Sequence, residues 1–448
     1  VNARDPIPFA AGVLTASLYV ATAAPGVFFA DSGELIAAAV SYGLPHSPSF
    51  PLYVTFARVL AWASGPGVGL ALNLFSAAAA GLAIGLLCRV LTRLVLDGGG
   101  SLTSARVGAA LGALALAADK ALWSQSVRAE VYSLNILAIV LLLHLIQPLA
   151  SGSGPLSTSE RRRFALAGLV GGLGLAVHSL LMGTAGVVFL VYVAARRREV
   201  LFPRSLLPPV LAGLSGLTAY VVLPLRSIHY PALDYGHPAN WANFVEAVTR
   251  KSTGLAGSVA RNDVVERALT FLSAVPDGFG ALLAVFAVVC AGFAAWRYRG
   301  MFALGLGLFV AGFLVSTRGT HFRLTNPDAW GYLTMAHLGV AIILAAGVSG
   351  VIRSLARVLW SRGRRALVVV ATVLLLVLIG GAMWRTGFSE SLHGFDNPER
   401  LAAKVASETP YNAMVVSDNA ATFFLLFHST ITHRKRPDLS VVAGSVVL

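Results

Sequence analysis

Two carboxylates, Asp31 and Glu34, stand three residues apart in Phe28-Phe29-Ala30-Asp31-Ser32-Gly33-Glu34-Leu35, and His46 follows in His46-Ser47-Pro48-Ser49-Phe50-Pro51-Leu52-Tyr53. The stretch comes directly after the first long apolar run, so its acids lie against hydrocarbon. An acid held there is expensive and usually functional. Such surroundings raise a carboxylate's pKa, which suits general-base work. One acid could take a proton while the other orients an acceptor or a divalent cation. The competing reading is architectural, since Asp-x-x-Glu resembles a capping box. His46, between Pro45 and Pro48, is open to a site role or to that of a satisfied interfacial residue.

Further polar residues punctuate the apolar runs. Glu130 opens a long apolar run between Arg128 and Tyr132, where it either serves a site or stabilises a helix N-terminus. His178 lies deep in an apolar stretch and is expected to face a cavity or another helix. Arg226, in Leu223-Pro224-Leu225-Arg226-Ser227, can snorkel to headgroups or grip a lipid phosphate in a bidentate fork. Asp234 and the Arg250-Lys251 pair share the longest polar loop, and Asn326 and Asp328 stand in Asn326-Pro327-Asp328-Ala329-Trp330. All are candidate substrate contacts except Arg226, a phosphate candidate, and the Arg250-Lys251 pair, which only adds positive charge.

The elements that must position these residues are membrane helices. Of 448 residues 56% are hydrophobic and 12% charged, half the charge of a soluble domain, and the mean hydropathy is +0.75. About eleven spans are expected, the first over 7–29, others over 68–91, 106–122, 206–223, 332–352 and 366–384. The run 164–195 carries Arg triplets at both ends, which favours two short helices meeting near His178-Ser179. The first run reads as a span that stays rather than a cleaved leader.

The net charge of +14 comes largely from Arg clusters between spans, so the positive-inside rule explains it better than nucleic acid does. With the N-terminus inside, Asp31, Glu34, Glu130, Asp234 and Asp328 all fall on the outer face, the pattern of a composite site. Cys88 and Cys290 lie inside apolar runs, and no disulfide framework is expected. No P-loop, zinc spacing, Ser-His-Asp order or nucleotide glycine motif is present.

The first-loop residues resemble the signature of a branch of the GT-C glycosyltransferases. That branch includes an animal endoplasmic-reticulum protein O-mannosyltransferase and bacterial proteins grouped as domain-of-unknown-function family 2723. Its usual form reads roughly D-S-G-E, then H-P-P-G-Y-P-L-Y, so Ser47 and Ser49 depart from it. Asn73-Leu74-Phe75-Ser76, Ala129-Glu130-Val131-Tyr132-Ser133-Leu134-Asn135, Leu223-Pro224-Leu225-Arg226-Ser227 and Arg436-Pro437-Asp438-Leu439 match in order, so the resemblance covers almost the whole chain.

The resemblance implies an all-α integral membrane bundle of GT-C type over 1–385, with an extramembrane, small α/β-like C-terminal segment over 386–448. It implies a polyprenyl-phosphate sugar donor, mannose for choice, and a protein Ser/Thr or glycan acceptor. Asp31 would be the base of an inverting transfer and Arg226 would hold the donor phosphate. The setting would be a bacterial inner (plasma) membrane, with the site facing outside or the periplasm. Family chains often continue past the Arg-Pro-Asp motif, so a chain ending at Leu448 is expected to be a short form or a fragment. The main alternative, a transporter or flippase, calls for inverted repeats and broken helices at the midplane, and no internal repeat is found. A structural subunit of a cell-surface polysaccharide system is the third reading.

Overall fold

The computed structural model describes residues 5–249, 261–318, 322–358, 362–417, 425–432 and 435–443. Helix α1 (Pro6–Thr22) is capped by Asp5, whose carboxylate accepts from the Ile7 amide. It stops seven residues short of the expected span because Pro25 disfavours helix immediately before it. The first loop is itself largely helical, with α2 (Asp31–Ser41) and α3 (Pro51–Ser64) preceding α4 (Val68–Asp97). At 30 residues α4 is about 45 Å long and sets the depth of the bundle. It packs antiparallel on α1 through small residues: a Cβ on Gly81 would lie 2.6 Å from that of Ala16.

The expected third span is broken into α5 (Leu102–Ala117) and α6 (Lys120–Ser126), bent by 60° at the buried Asp119. Then come α7 (Val131–Ser151), α8 (Thr158–Leu175) and α9 (Ser179–Ala194). The last two form the two-helix arrangement anticipated around His178. Arg197, after α9, pairs with Glu160 at the start of α8 (2.5 Å), so both Arg triplets lie at one end.

The loop expected over 224–274 is largely helical, after α10 (Pro203–Leu217). It contains α11 (Val222–Ser227), α12 (Trp241–Thr249) and the start of α13 (Arg261–Phe279); Arg250 and Lys251 lie outside the described residues. Helix α13 turns by 106° into α14 (Ala281–Arg297) at Gly280, whose φ of +87° suits glycine alone. Next are α15 (Arg299–Arg318), a 3₁₀ turn Pro327–Leu333, α16 (Thr334–Val358) and α17 (Arg362–Ser389).

The C-terminal segment holds α18 (Asn397–Glu408) and a parallel pair, β1 (Met414–Ser417) with β2 (Ser440–Ala443). Here the Arg-Pro-Asp motif is architectural. Arg436 grips Asp438 through two nitrogens (2.8 and 2.7 Å) and donates to the carbonyls of Ala406, Thr409 and Pro410, tying the end of α18 to β2.

Among the described residues six helical segments are long and apolar enough to cross a bilayer, eight if each bent pair is one span. The protein is an integral membrane helical bundle. By that criterion the expected eleven spans are not reached, since α1 and α9 have only 17 and 16 residues against the roughly 20 a bilayer core needs. The bundle has two chemically distinct ends. Around the start of α4 lie Asp31, Glu34, Glu130 and Asp328; around its end lie Arg196, Arg197, Arg297, Arg299 and Arg353.

Candidate active site

The backbone entering the site is held before any candidate catalytic group appears. Asn73 donates to the carbonyls of Ala24 and Gly26 (both 2.8 Å), and the Ala24 amide donates to Val127 O. From the C-terminal segment, Glu399 accepts from the Val27 amide and Phe395 packs on Phe28 and Phe29. Ala30, with φ of +60°, then turns the chain into α2, so Asp31 is the first helical residue and Glu34 lies one turn on.

A capping box is not what these acids form. No side chain caps α2, and Glu34 is turned to His46 instead. It accepts from the His46 amide (2.6 Å) and meets His46 Nδ1 at 2.5 Å, while His46 Nε2 lies 3.9 Å from Asp31. Burial favours the neutral ring, but Glu34 and then Asp31 overcome it and raise the His46 pKa to about 10. At neutral pH an imidazolium therefore sits between two carboxylates.

The His46 loop is fixed on both sides. Leu44 exchanges backbone hydrogen bonds with Leu233 and Tyr235, bringing the Asp234 loop alongside, and Ser47 Oγ donates to Ala247 O in α12. Asp234 itself binds His237 (2.6 Å) and Ser227 (2.9 Å), so its carboxylate organises its own loop.

A second cluster is more deeply buried. Arg128 donates to Asp328 (2.9 Å) and Gln125 (3.2 Å), lies 3.6 Å from Glu130 and covers the Phe28 ring. Asn326 caps the 3₁₀ turn carrying Asp328, accepting from its amide. Glu130 precedes α7, as its sequence position suggested, but its carboxyl makes no side-chain cap. Burial pushes that carboxyl well above the usual range; Arg128 opposes this, and the charges of Asp328 and Asp31 add to it. The two clusters therefore share one electrostatic environment.

Tyr132, His178, Tyr332 and Phe50 form a chain of ring contacts with centroids 5.3–6.0 Å apart, next to His46. His178 also caps α9, its Nδ1 accepting from Leu181 N. Arg226 is held apart from these groups, at the other end of α2. Its Nε donates to Tyr42 O (2.9 Å) and its guanidinium lies over the Tyr42 ring, with its two terminal nitrogens bonded to none of the described residues.

Accessibility separates the carboxylates. The Asp31 side chain is 34% exposed, against 1% for Glu34, 1% for Glu130 and 11% for Asp328. Asp31 is the most open of the four.

Sequence reading missed Asp119 and His337. Both are fully buried and pair at 2.8 Å, joining the start of α6 to α16. These are the elements that lead to Arg128 and follow Asp328, so the pair joins the two segments that carry the second cluster. A charged residue inside an apolar run was the signal available.

Residues 31–201 match the family model described as the protein O-mannosyl-transferase TMEM260 N-terminal domain. The chain is 26% identical over 281 residues to the mouse (Mus musculus) protein O-mannosyl-transferase TMEM260, covering 59% of this chain and 38% of that protein. It thus spans well under half of that relative. Among solved structures, ArnT from Cupriavidus metallidurans bound to undecaprenyl phosphate aligns with a TM-score of 0.59 at 14% identity, over 98% of this chain and 89% of that one. An Archaeoglobus fulgidus oligosaccharyltransferase in complex with Zn and sulfate aligns with a TM-score of 0.52 at 12% identity, over 98% and 62%. The fold is that of the GT-C group.

Proposed function

We propose that this GT-C-fold, protein O-mannosyl-transferase-like chain is a membrane glycosyltransferase, moving a sugar, mannose for choice, from a polyprenyl phosphate to an acceptor hydroxyl. The acceptor is a protein Ser or Thr, or a glycan, on the face opposite the arginine-rich end. The observation that carries the reading is the half-buried Asp31 carboxylate, the most open of the four, beside the half-buried His46 and its buried partner Glu34. Asp31 takes the acceptor proton as the acceptor oxygen bonds to the anomeric carbon. The bond from that carbon to the phosphate oxygen breaks, and polyprenyl phosphate leaves with the electron pair. A single displacement of this kind inverts the anomeric centre, as in inverting sugar transfer to water.

The leaving phosphate needs positive charge rather than a proton. Arg226 is the proposed holder, because its terminal nitrogens are open and Val221, Leu225 and Ile228 around it are exposed apolar surface for a lipid tail. Arg226 stands on Tyr42, a helix length of about 16 Å from Asp31. A phosphate bonded to the anomeric carbon cannot touch both at that separation, so this role requires Arg226 to move toward Asp31 when the donor binds. Asp31, Glu34 and His46 also offer three ligand atoms within 4.8 Å of one another. With the His46 ring neutral, that donor set suits a divalent transition-metal ion, which when bound would displace the ring proton and supply Lewis acidity; the step above does not depend on it.

The test is incubation of the purified protein with a panel of polyprenyl-phosphate sugars, following release of free polyprenyl phosphate. Asp31→Asn should lower turnover by about a thousandfold or more in a folded protein, and Arg226→Gln should raise KM for the donor. Full activity of a folded Asp31→Asn variant overturns the mechanism. The transporter reading draws on the two bent helix pairs and predicts uptake or flipping of a lipid-linked sugar without phosphate release.

A further inference from the structure

At the arginine-rich end, a cavity of about 370 Å³ opens between the last turns of α4, α7 and α9 and the α14–α15 turn. Asp97, Tyr192, Arg196, Arg297, Tyr298 and Arg299 line it. Its one carboxylate is engaged by neutral donors, since Asp97 accepts from Gln147 Nε2 and from Ser151 Oγ (2.7 Å). Among the described residues, no carboxylate stands within ion-pair distance of the three arginines. Arg196 lies over the Tyr192 ring (4.1 Å) and Arg297 over Trp296 (4.3 Å). Stacking fixes each guanidinium plane and leaves its N–H edge for a ligand. The Arg297 Nε and the Tyr298 hydroxyl are buried and meet no hydrogen-bond partner. Unmatched buried donors are costly, and here they share a cavity with three arginines against one carboxylate, an excess of positive charge. The complementary group is an anion with several acceptor oxygens.

We propose that this cavity binds a phosphate group, carried by the headgroup of an anionic lipid in the adjoining leaflet. Arginine forks match phosphate oxygens bidentately, and basic pockets between helix ends are where lipid phosphates bind. A lipid rather than soluble phosphate is favoured because Trp296 and Val191, 59% and 62% exposed, give acyl chains an apolar surface beside the cavity. The site lies at the other end of α4 from Asp31 and is independent of the transfer reaction. Gly300 makes room for it: a Cβ there would fall 1.4 Å from Arg196 Nη2.

Native mass spectrometry of the purified full chain tests this, with phosphatidylglycerol, phosphatidylcholine and inorganic phosphate as probes. Phosphatidylglycerol should be retained over phosphatidylcholine, and roughly tenfold more weakly by an Arg196→Gln/Arg297→Gln variant. Gly300→Val should weaken retention while keeping every charge, so the test survives if the double variant misfolds. Arg204→Gln, outside the cavity, should change nothing. Equal loss in Arg204→Gln, or equal retention of the zwitterionic lipid, overturns the proposal by reducing it to diffuse surface charge. Arginine-dependent retention of inorganic phosphate without any lipid adduct overturns the lipid source.

Discussion

The two ends of the bundle are both rich in charge and use it in different ways. At the arginine end, the Arg197–Glu160 pair and the Asp97 contacts aside, side chains answer backbone. Arg197 donates to the carbonyls of Leu149, Ser153, Gly154 and Pro155, Arg353 to Gly98 and Arg161 to Leu156, open acceptors at the ends of α4 and α7 and in the loop that follows α7. At the carboxylate end, side chains answer each other, in the His46–Glu34 pair and the Arg128–Asp328–Glu130 group. The backbones differ in the same sense. Positive φ falls on glycine at the arginine end, at Gly99 and Gly154, but on Ala30, Tyr42, Ser49 and Phe50 around the carboxylates. Strain of that kind persists where the surroundings over-determine it, which is characteristic of functional sites. One end finishes helices; the other constrains its groups, as the proposed chemistry requires.

Beyond the loss of transfer in Asp31→Asn, the largest effect that separates the ends is on stability. Arg128→Gln leaves two buried carboxylates facing each other and should destabilise the protein by about 3–5 kcal/mol. Arg353→Gln loses one hydrogen bond to a carbonyl from an exposed position and should cost under about 1 kcal/mol. Thermal unfolding of both in one detergent checks this, and equal costs would dissolve the distinction. His337→Leu should fall between them, at about 2–4 kcal/mol, by stranding Asp119. If that pair positions Arg128 and Asp328, His337→Gln should recover turnover more fully than His337→Leu at matched stability.

The ends should also differ in pH response. The His46 ring titrates near 10 when folded and near 6.5 when unfolded. The folded state therefore binds the proton more tightly, and the resulting stabilisation is complete below about pH 6.5 and lost as pH rises toward 10. The unfolding midpoint, measured with a chelator present, should fall over that window, and His46→Gln should flatten the slope. An unchanged slope in His46→Gln would remove His46 from the account.

What could be read in the sequence follows what is local. Asp31, Glu34 and His46 were legible as one group because a short loop carries all three. The pairing of Glu34 with His46 rather than with a helix end was not, because it depends on the strand-like contact of Leu44 with Leu233. Arg128 and Asp328 are 200 residues apart, so topology could place them on one face without bringing them into contact. The helix break at His178 was visible through the flanking Arg triplets. The break at Asp119 was not, because hydropathy averaged over an apolar run hides one acid. Pro25 marked the end of α1, and the apolar residues after it concealed the signal.

The smallest effect probes the strain itself. Ser49 holds φ of +64° where the resembling family tends to have glycine, and its hydroxyl is buried without a hydrogen-bond partner. The left-handed conformation costs a non-glycine residue about 1–2 kcal/mol, and an unmatched buried hydroxyl adds to that. Glycine removes both penalties but widens the unfolded ensemble, an opposing effect of roughly 0.5–1 kcal/mol. Ser49→Gly should therefore stabilise the protein by about 1 kcal/mol, read as a rise in the unfolding midpoint, with transfer activity kept because His46 still donates its amide to Glu34. A Ser49→Gly variant that is less stable would mean that the Ser49 backbone is not under strain. The contrast between the ends would then rest on side-chain charge alone.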